Sequence, residues 1–226
     1  RDDLVGIEID EGTCGAARLN LGIRVIRHLA LSNDLAALPA SRPPRILWAD
    51  ALGDEMPSRL DKDYRWIVGN PPYLEAKRAK AEDKTRWRKR FKDRVEGAFD
   101  QYMCFLELAL ELAANDGEIG MIVPNKVLVN RYSRSLRKRL LETHPPRTMR
   151  DLSELPIFKN VGVYPIILHL AAPSPGTGQS CATHGPGGDR LDIPLSTYEA
   201  TGHAVTFFIP PNPILGRLLS RLLTGG

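Results

Sequence analysis

Short apolar runs alternate with stretches of helical periodicity along most of this chain. The apolar runs have the length of strands, and they lie at residues 4–10, 45–50, 64–68, 118–124, 148–155 and 163–170. Apolar positions three and four residues apart predict helices over residues 13–31, 100–114 and 133–142. Strands that alternate with helices are typical of an α/β fold.

The apolar run Tyr64–Val68 predicts a short buried strand that ends at Gly69. Asn70, Pro71 and Pro72 follow directly. Each proline fixes its own φ and pushes the residue before it toward an extended conformation. We therefore expect a stiff loop at the carboxyl end of this strand.

This loop offers hydrogen-bond acceptors and few donors, since a proline has no backbone N–H. The side-chain oxygen of Asn70 and the carbonyl of Pro71 could each accept one hydrogen of an amino group. The ring of Tyr73 offers a flat face to a planar partner. A Pro-Pro pair is also common in ordinary turns, but its place after a strand and within a longer pattern favours a function.

Acidic residues follow two other predicted strands. Glu8 and Asp10 close the first strand, and Asp50 closes the second. Ligands of open α/β sheets bind beyond the carboxyl ends of the strands, where a carboxylate accepts hydrogen bonds from vicinal ribose hydroxyls. An acid in this place also caps the next helix, and for the first strand both interpretations stay open.

Basic residues are concentrated between Leu74 and Val95. This stretch has ten lysines and arginines against four acids, a local charge of +6, whereas the whole chain carries +4 with a pI near 9.0. Trp87 and Phe91 lie among them. A charge run is usually a solvated helical face, but an excess beside the proline loop favours contact with phosphates. The candidate contacts are Lys77, Arg78, Lys84, Arg86, Arg88, Lys89 and Arg90.

The amino-acid composition indicates an ordinary globular protein and argues against several other classes. Hydrophobic residues make up 42% and charged residues 26%, as in ordinary globular domains. Cys14, Cys104 and Cys181 are odd in number and form no CxxC motif, so we expect neither a disulfide framework nor a metal site. No apolar run approaches the ~20 residues of a membrane span. A reducing, cytoplasmic setting fits this pattern.

The segment Gly69–Tyr73 resembles the catalytic motif of S-adenosylmethionine-dependent amino methyltransferases. Its surroundings are most similar to the gamma class of adenine-N6 DNA methyltransferases, in the long-chain type of type IIG restriction–modification enzymes and related phage-defence methylases. The resemblance extends from about Leu4 to Leu170. It implies a Rossmann-like class I methyltransferase sheet with a closing antiparallel hairpin. It also implies methyl transfer to the N6 amino group of an adenine flipped out of duplex DNA.

The resemblance assigns roles to residues at two places. At the target base, Asn70, Pro71, Pro72 and Tyr73 form the catalytic motif, and Tyr73 and Phe158 stack on the base. A lone Phe at a hairpin is also a common core residue, and this alternative stays open for Phe158.

For the cofactor S-adenosylmethionine, the resemblance points to the strand ends. Glu8 would bind the ribose, and Ile9 would pack against the cofactor's adenine. Asp50 would accept a hydrogen bond from the adenine amino group, with Leu52 as an apolar wall.

The resemblance also suggests a domain organisation. Residues 1–172 would be a partial catalytic domain, residues 173–189 a linker or loop, and residues 190–226 the start of a target-recognition domain. The family's glycine-rich cofactor loop is expected before Leu4, so we expect the sheet to be incomplete at the N-terminus. The segment Gly12–Gly15 follows the wrong strand and lacks GxGxxG spacing.

Two alternatives remain. The Asn-Pro-Pro-Tyr motif is also used to methylate RNA bases or protein glutamine, but the basic segment and the C-terminal extension favour DNA. The chain could also be a non-catalytic DNA-binding subunit with a methyltransferase-like fold. The expected lack of the glycine-rich loop supports this, and the intact motif opposes it. Besides DNA, the expected partners are a target-recognition domain and other subunits of a defence system.

Because only the adenosine half of the cofactor site is expected here, this 226-residue chain by itself should bind S-adenosylmethionine poorly or not at all. Isothermal titration calorimetry checks this expectation, and micromolar affinity would contradict it.

Overall fold

A computed structural model describes residues 4–32, 44–75, 77–95, 97–155, 164–173, 179–202 and 205–224. Within these ranges the predicted apolar runs form strands with shifted ends, and two further strands follow. The strands are β1 Val5–Glu8, β2 Arg45–Trp48, β3 Tyr64–Gly69, β4 Ala113–Pro124, β5 Pro146–Asp151, β6 Pro165–Ala171, β7 Ser180–His184 and β8 Arg190–Pro194.

The helices lie between and after these strands. They are α1 Glu11–Leu31, α2 Met56–Arg59, α3 Ala81–Phe91, α4 Gln101–Leu112, α5 Lys126–Val129, α6 Arg134–Thr143, α7 Leu195–Glu199 and α8 Pro213–Thr224. Short 3₁₀ helices lie at Lys92–Arg94 and Arg131–Ser133. Across the described ranges, no helix has the length and apolar character needed to cross a membrane.

The chain divides into two compact units, Arg1–Leu60 and Asp61–Gly226. In the first unit, β1 and β2 form a parallel two-stranded sheet in which Glu8 lies opposite Trp48. The predicted first helix is confirmed as α1. It begins at Asp10, whose carboxylate accepts a hydrogen bond from a backbone N–H of the first turn at 2.7 Å.

The second unit is built on a six-stranded sheet in the order β3-β4-β6-β5-β7-β8. The β3–β4 pair is parallel, whereas β4 and β5 both pair with β6 in antiparallel fashion. The antiparallel β5–β6 pair confirms the predicted closing hairpin. Helix α4 packs against β4, and its residues Met103, Cys104 and Leu106 are fully buried.

Strand β3 is at the predicted place, but the prediction that it is buried is wrong. Trp66 is 62% exposed and Val68 is 85% exposed. These two residues share one face of β3, because alternate residues of a strand point to the same side, and that face is largely exposed. Apolar composition predicted the strand correctly, but burial depends on what covers its faces.

The boundary between α4 and β4 also differs from the prediction. The helix was predicted to continue to Ala114, but it ends at Leu112 and the strand begins at the next residue. Gly117 lies inside β4, where the register with β3 shifts. A Cβ on Gly117 would be 2.8 Å from the carbonyl oxygen of Tyr64. The glycine is therefore suited to a close approach of two strands, not to a helix end.

The C-terminal part of the chain contributes more to the sheet than predicted. Ser180–His184, inside the predicted linker 173–189, forms β7, which pairs with β5 and β8. Residues 205–209 form no ladder with the described strands. Instead, the backbone N–H of Phe207 donates to Leu128 at 3.0 Å and the Phe207 side chain is fully buried. The assignment of residues 190–226 to a target-recognition domain stays a prediction.

A buried arginine of α6 fixes this C-terminal segment. Arg137 is 1% exposed and donates to the carbonyl of Val205 and, at 2.8 Å each, to the carbonyls of Val127 and Asn130. Burial lowers the pKa of Arg137 to about 10, so the guanidinium stays charged at neutral pH. These three carbonyls belong to two separate parts of the chain.

Replacing Arg137 with Met should destabilise the fold, because the buried carbonyls would lose their donor. Each unsatisfied group costs ~1–3 kcal/mol, so we expect the free energy of unfolding to fall by about 3 kcal/mol. Urea unfolding measures this. Arg134→Met on the exposed side of the same helix is the matched control and should change stability by less than ~0.5 kcal/mol. Equal stability of the two variants would contradict the proposed anchor.

Candidate active site

In the first unit, the parallel pairing of β1 and β2 brings the predicted cofactor residues to one edge. The backbone N–H of Ala49, just after β2, donates to the carbonyl of Glu8 at 2.9 Å. Because parallel strands end at the same edge, Glu8 and Asp50 both lie beyond the carboxyl ends of this sheet.

Backbone hydrogen bonds hold both carboxylates. Glu8 Oε1 accepts from the N–H of Asp10, and Asp50 Oδ1 accepts from the N–H of Leu52, each at 2.9 Å. Hydrogen bonds from Thr13 lower the pKa of Asp10, which is the residue that caps α1. Of Glu8 and Asp10, it is therefore Asp10 that caps helix α1.

The two apolar candidates differ in accessibility. Ile9 is 67% exposed, and its carbonyl accepts a hydrogen bond from Trp48 Nε1 at 3.1 Å. Leu52 is fully buried. Ile9 can therefore contact a planar ligand, whereas the Leu52 side chain belongs to the core of its unit and is not an accessible wall.

In the second unit, the Asn70 loop leaves the carboxyl end of β3 and folds toward β4. The Tyr73 hydroxyl lies 3.3 Å from Asn70 Oδ1 and 3.3 Å from the carbonyl oxygen of Ile122 in β4, and it can donate to either. Burial raises the pKa of Tyr73, so the hydroxyl keeps its proton at neutral pH. The Tyr73 side chain thus links the loop to the neighbouring strand.

Asn70 and Pro71 are the two candidate hydrogen-bond acceptors of the loop. Asn70 is exposed, and its amide oxygen has two lone pairs, of which the Tyr73 hydroxyl uses at most one. Pro71 is buried and Pro72 is exposed. Among the residues that the structure describes, the Pro71 carbonyl receives no hydrogen bond. At least one lone pair of Asn70 Oδ1 and the Pro71 carbonyl thus have no hydrogen-bond donor among the described residues.

Further contacts fix the chain just after Tyr73, and sequence reasoning missed them. The carbonyl of Leu74 accepts from the N–H of Gln101 at 3.1 Å. Glu75 pairs with Lys77 at 2.9 Å and with Lys126 at 3.0 Å. These two lysines lower the pKa of Glu75 to about 2. A local excess of basic residues gave no sign that Glu75 would reach Lys126, which lies fifty-one residues away.

The basic segment forms helix α3 and a 3₁₀ turn. Its aromatic residues Trp87 and Phe91 are 3% and 0% exposed, so they are core residues and cannot stack on nucleotides. Several predicted phosphate contacts already have acidic partners. The ion pairs are Lys77–Glu75, Arg86–Asp83 at 2.9 Å and Arg90–Glu111 at 3.8 Å.

The other candidate cations have different surroundings. Arg88 is exposed and donates to the carbonyl of Gly97 at 3.1 Å. Arg78, Lys84 and Lys89 form no ion pair with any residue in the described ranges. The structure thus separates cations with internal counterions from cations that are open to an external anion.

Three remaining expectations concern stacking, metals and cysteines. Phe158 lies outside the described residues. Within the described ranges, no three His, Cys, Asp or Glu side chains are grouped so as to hold a metal ion. All three cysteines are buried and free.

This sheet and its helices have the class I methyltransferase fold. Two solved structures illustrate it. One is the type I restriction–modification methyltransferase subunit of Streptococcus thermophilus, with a TM-score of 0.53 and 19% identity over 80% of this chain and 36% of that chain. The other is the type IIL restriction–modification enzyme MmeI in complex with DNA, with a TM-score of 0.56 and 18% identity over 84% and 27%. At such identities the likeness shows the fold alone.

Sequence comparison identifies the family. Residues 2–158 match the Eco57I restriction-modification methylase family, and the chain belongs to that family. Its curated relatives include the type II methyltransferase M.PaeR7I of Pseudomonas aeruginosa, 29% identical over 174 residues that make up 76% of this chain and 29% of the relative. M.XhoI of Xanthomonas vasicola is 30% identical over 169 residues, or 74% and 30%. The chain thus spans less than a third of the length of these relatives.

Proposed function

We propose that this protein transfers a methyl group from S-adenosylmethionine to the N6 amino group of an adenine in duplex DNA. The setting is a restriction–modification or phage-defence system. Membership of the Eco57I restriction-modification methylase family supports this proposal, as do relatives that are named type II methyltransferases. The fold is shared with an enzyme solved in complex with DNA.

The observation that carries the proposal is the pair of acceptors at the end of β3. An exocyclic adenine amine is a weak nucleophile because its lone pair is delocalised into the ring. When Asn70 Oδ1 and the Pro71 carbonyl accept its two hydrogens, the nitrogen becomes more tetrahedral and its lone pair points away from them. The rigid loop supplies this orientation before the reaction, and positioning accounts for much of the rate enhancement in such a transfer.

The target atom lies inside the base stack of a duplex, so the adenine has to be flipped out. Tyr73 is half-buried, and its hydroxyl is held toward Asn70 and Ile122. Its ring can therefore receive the flipped base without a large rearrangement. Phe158 is proposed as a second stacking residue on the basis of the sequence resemblance alone.

The residues of the first unit fit the adenosine part of the cofactor. Glu8 and Asp50 are fixed carboxylates at the ends of parallel strands, which suits a ribose and an adenine amino group. The exposed Ile9 side chain would pack against the ring. When bound, S-adenosylmethionine supplies an electrophilic methyl group.

The cellular setting is proposed on the same basis. Three free, buried cysteines fit a reducing compartment, and we place the reaction in the cytoplasm. Duplex DNA is the proposed partner, and a target-recognition domain or other defence-system subunits would complete the assembly.

Asn70→Ala should abolish methyl transfer to duplex DNA in the intact protein, with a loss of at least ~10²-fold, because an oriented acceptor is removed. Affinity for S-adenosylmethionine should stay nearly unchanged, since Asn70 would contact the target base. Transfer of a labelled methyl group measures the first quantity, and calorimetry measures the second.

Asn212→Ala is the matched control, because Asn212 accepts a hydrogen bond from the N–H of Leu215 at the start of α8 and lies outside the loop. It should leave methyl transfer intact. Near-normal turnover of the Asn70 variant would remove its catalytic role. Transfer to RNA or to protein glutamine, but not to duplex DNA, would assign a different substrate.

Tyr73→Ala should weaken binding of duplexes with a mismatched target base, by ~1–3 kcal/mol, since an aromatic ring no longer stacks on the flipped base. Tyr73→Phe is the matched control: it keeps the ring and loses only the hydroxyl contacts, so it should retain most of this affinity. Fluorescence anisotropy with labelled duplexes measures both variants. If the Ala variant bound as tightly as the wild type, stacking by Tyr73 would be refuted.

A further inference from the structure

The arginines near the acceptor loop fall into two groups according to their partners. Arg90 and Arg94 both reach Glu111, and Arg94 also lies 3.8 Å from Glu107 of α4. Glu107 is fully buried and pairs with Arg139 as well. These cations neutralise acids of their own fold, so they are not open to an external anion.

Arg88 belongs to the second group, because its contacts are with neutral groups. It donates to the carbonyl of Gly97 at 3.1 Å, and its guanidinium lies 5.5 Å from the centre of the Phe99 ring. In the described part of the chain it has no carboxylate partner. Its positive charge is therefore held in place but not neutralised.

Arg131 has similar surroundings and was not among the candidates from the sequence. Its guanidinium lies 4.6 Å from the centre of the Tyr132 ring and donates to the Tyr132 hydroxyl. The side chain is exposed, and no described acid pairs with it. Tyr132 thus orients this second charge and leaves it without a counterion.

The surroundings of Arg88 and Arg131 meet at one contact, between Gly97 and Tyr132. Gly97 has φ +60°, and a Cβ on it would lie 2.4 Å from Cε1 of Tyr132. The Tyr132 ring therefore rests directly on the glycine whose carbonyl binds Arg88. We call these residues the Arg88–Arg131 patch: Arg88, Gly97, Arg131 and Tyr132.

Segments close in sequence to the patch bind the chain that follows the acceptor loop. Gly97 precedes Gln101, whose N–H donates to the carbonyl of Leu74 just after the loop. Arg131 follows α5, whose Lys126 binds Glu75 at 3.0 Å. Both halves of the patch are thus tied to the chain that leaves Tyr73.

We propose that the Arg88–Arg131 patch binds the phosphate backbone of the duplex that presents its base to Asn70. The inference rests on the proposed function and adds Arg131 to the nucleic-acid contacts. A guanidinium is a planar fork of donors that matches phosphate oxygens. Since both groups are held by neutral partners, a phosphate could pair with them without displacing any acid of the described residues, and little side-chain ordering would be needed on binding.

The test is the salt dependence of duplex binding by the intact protein. Arg88→Gln and Arg131→Gln should each reduce the slope of log K against log salt concentration by ~1, and the double variant by ~2. Each single variant should bind ~tenfold more weakly at 0.1 M salt. The loss should be the same for cognate and unrelated duplexes, because phosphates carry no sequence information.

Two controls separate charge from structure. Arg131→Lys keeps the charge and should keep most of the slope. Arg190→Gln removes an exposed cation that is paired with Asp192 on β8, at the opposite end of the sheet order from β3, and should leave the slope unchanged. If the wild type binds duplex DNA and Arg131→Gln has an unchanged slope, the patch is refuted while the proposed function stands. If the wild type does not bind duplex DNA at any salt concentration, both are refuted.

Discussion

The parallel pairing of β3 with β4 is the interaction on which the acceptor loop depends. Parallel strands end at the same edge of a sheet, so the loop after β3 meets the chain that leaves β4. This is why the Tyr73 hydroxyl reaches the carbonyl of Ile122 and why Lys126 reaches Glu75. Without that pairing, Asn70 and the prolines would still form a stiff turn, but no neighbouring strand would fix its orientation.

The same rule organises the first unit. There β1 and β2 are parallel, and Glu8 and Asp50 lie at their shared edge. The acids are held by backbone N–H groups of the turns that follow, so their positions are set by local geometry. In both units, the candidate acceptors for hydroxyl and amino groups thus lie at a short turn at the carboxyl end of a parallel strand.

Some cations of the basic segment pair with acids of the protein and others do not, and the net charge of the segment does not show this difference. Glu107 and Glu111 of α4 form ion pairs with Arg90 and Arg94. A fully buried carboxylate such as Glu107 requires cationic partners. The segment is therefore a packed helix with one neutralised side. Arg78, Arg88 and Lys89 of the same segment are exposed and pair with no acid among the described residues.

The sequence by itself determined what depends on local geometry. The stiffness of Asn70–Pro72 follows from proline, and most strands and the helices α1, α4 and α6 follow from apolar periodicity. Tertiary structure alone decided what depends on distant partners. Gly117 is a strand residue because another strand passes close to it, and Arg90 is neutralised by an acid on a different helix. Tyr132, which orients Arg131, packs on Gly97, a residue more than thirty positions earlier in the chain, and no local pattern contains that information.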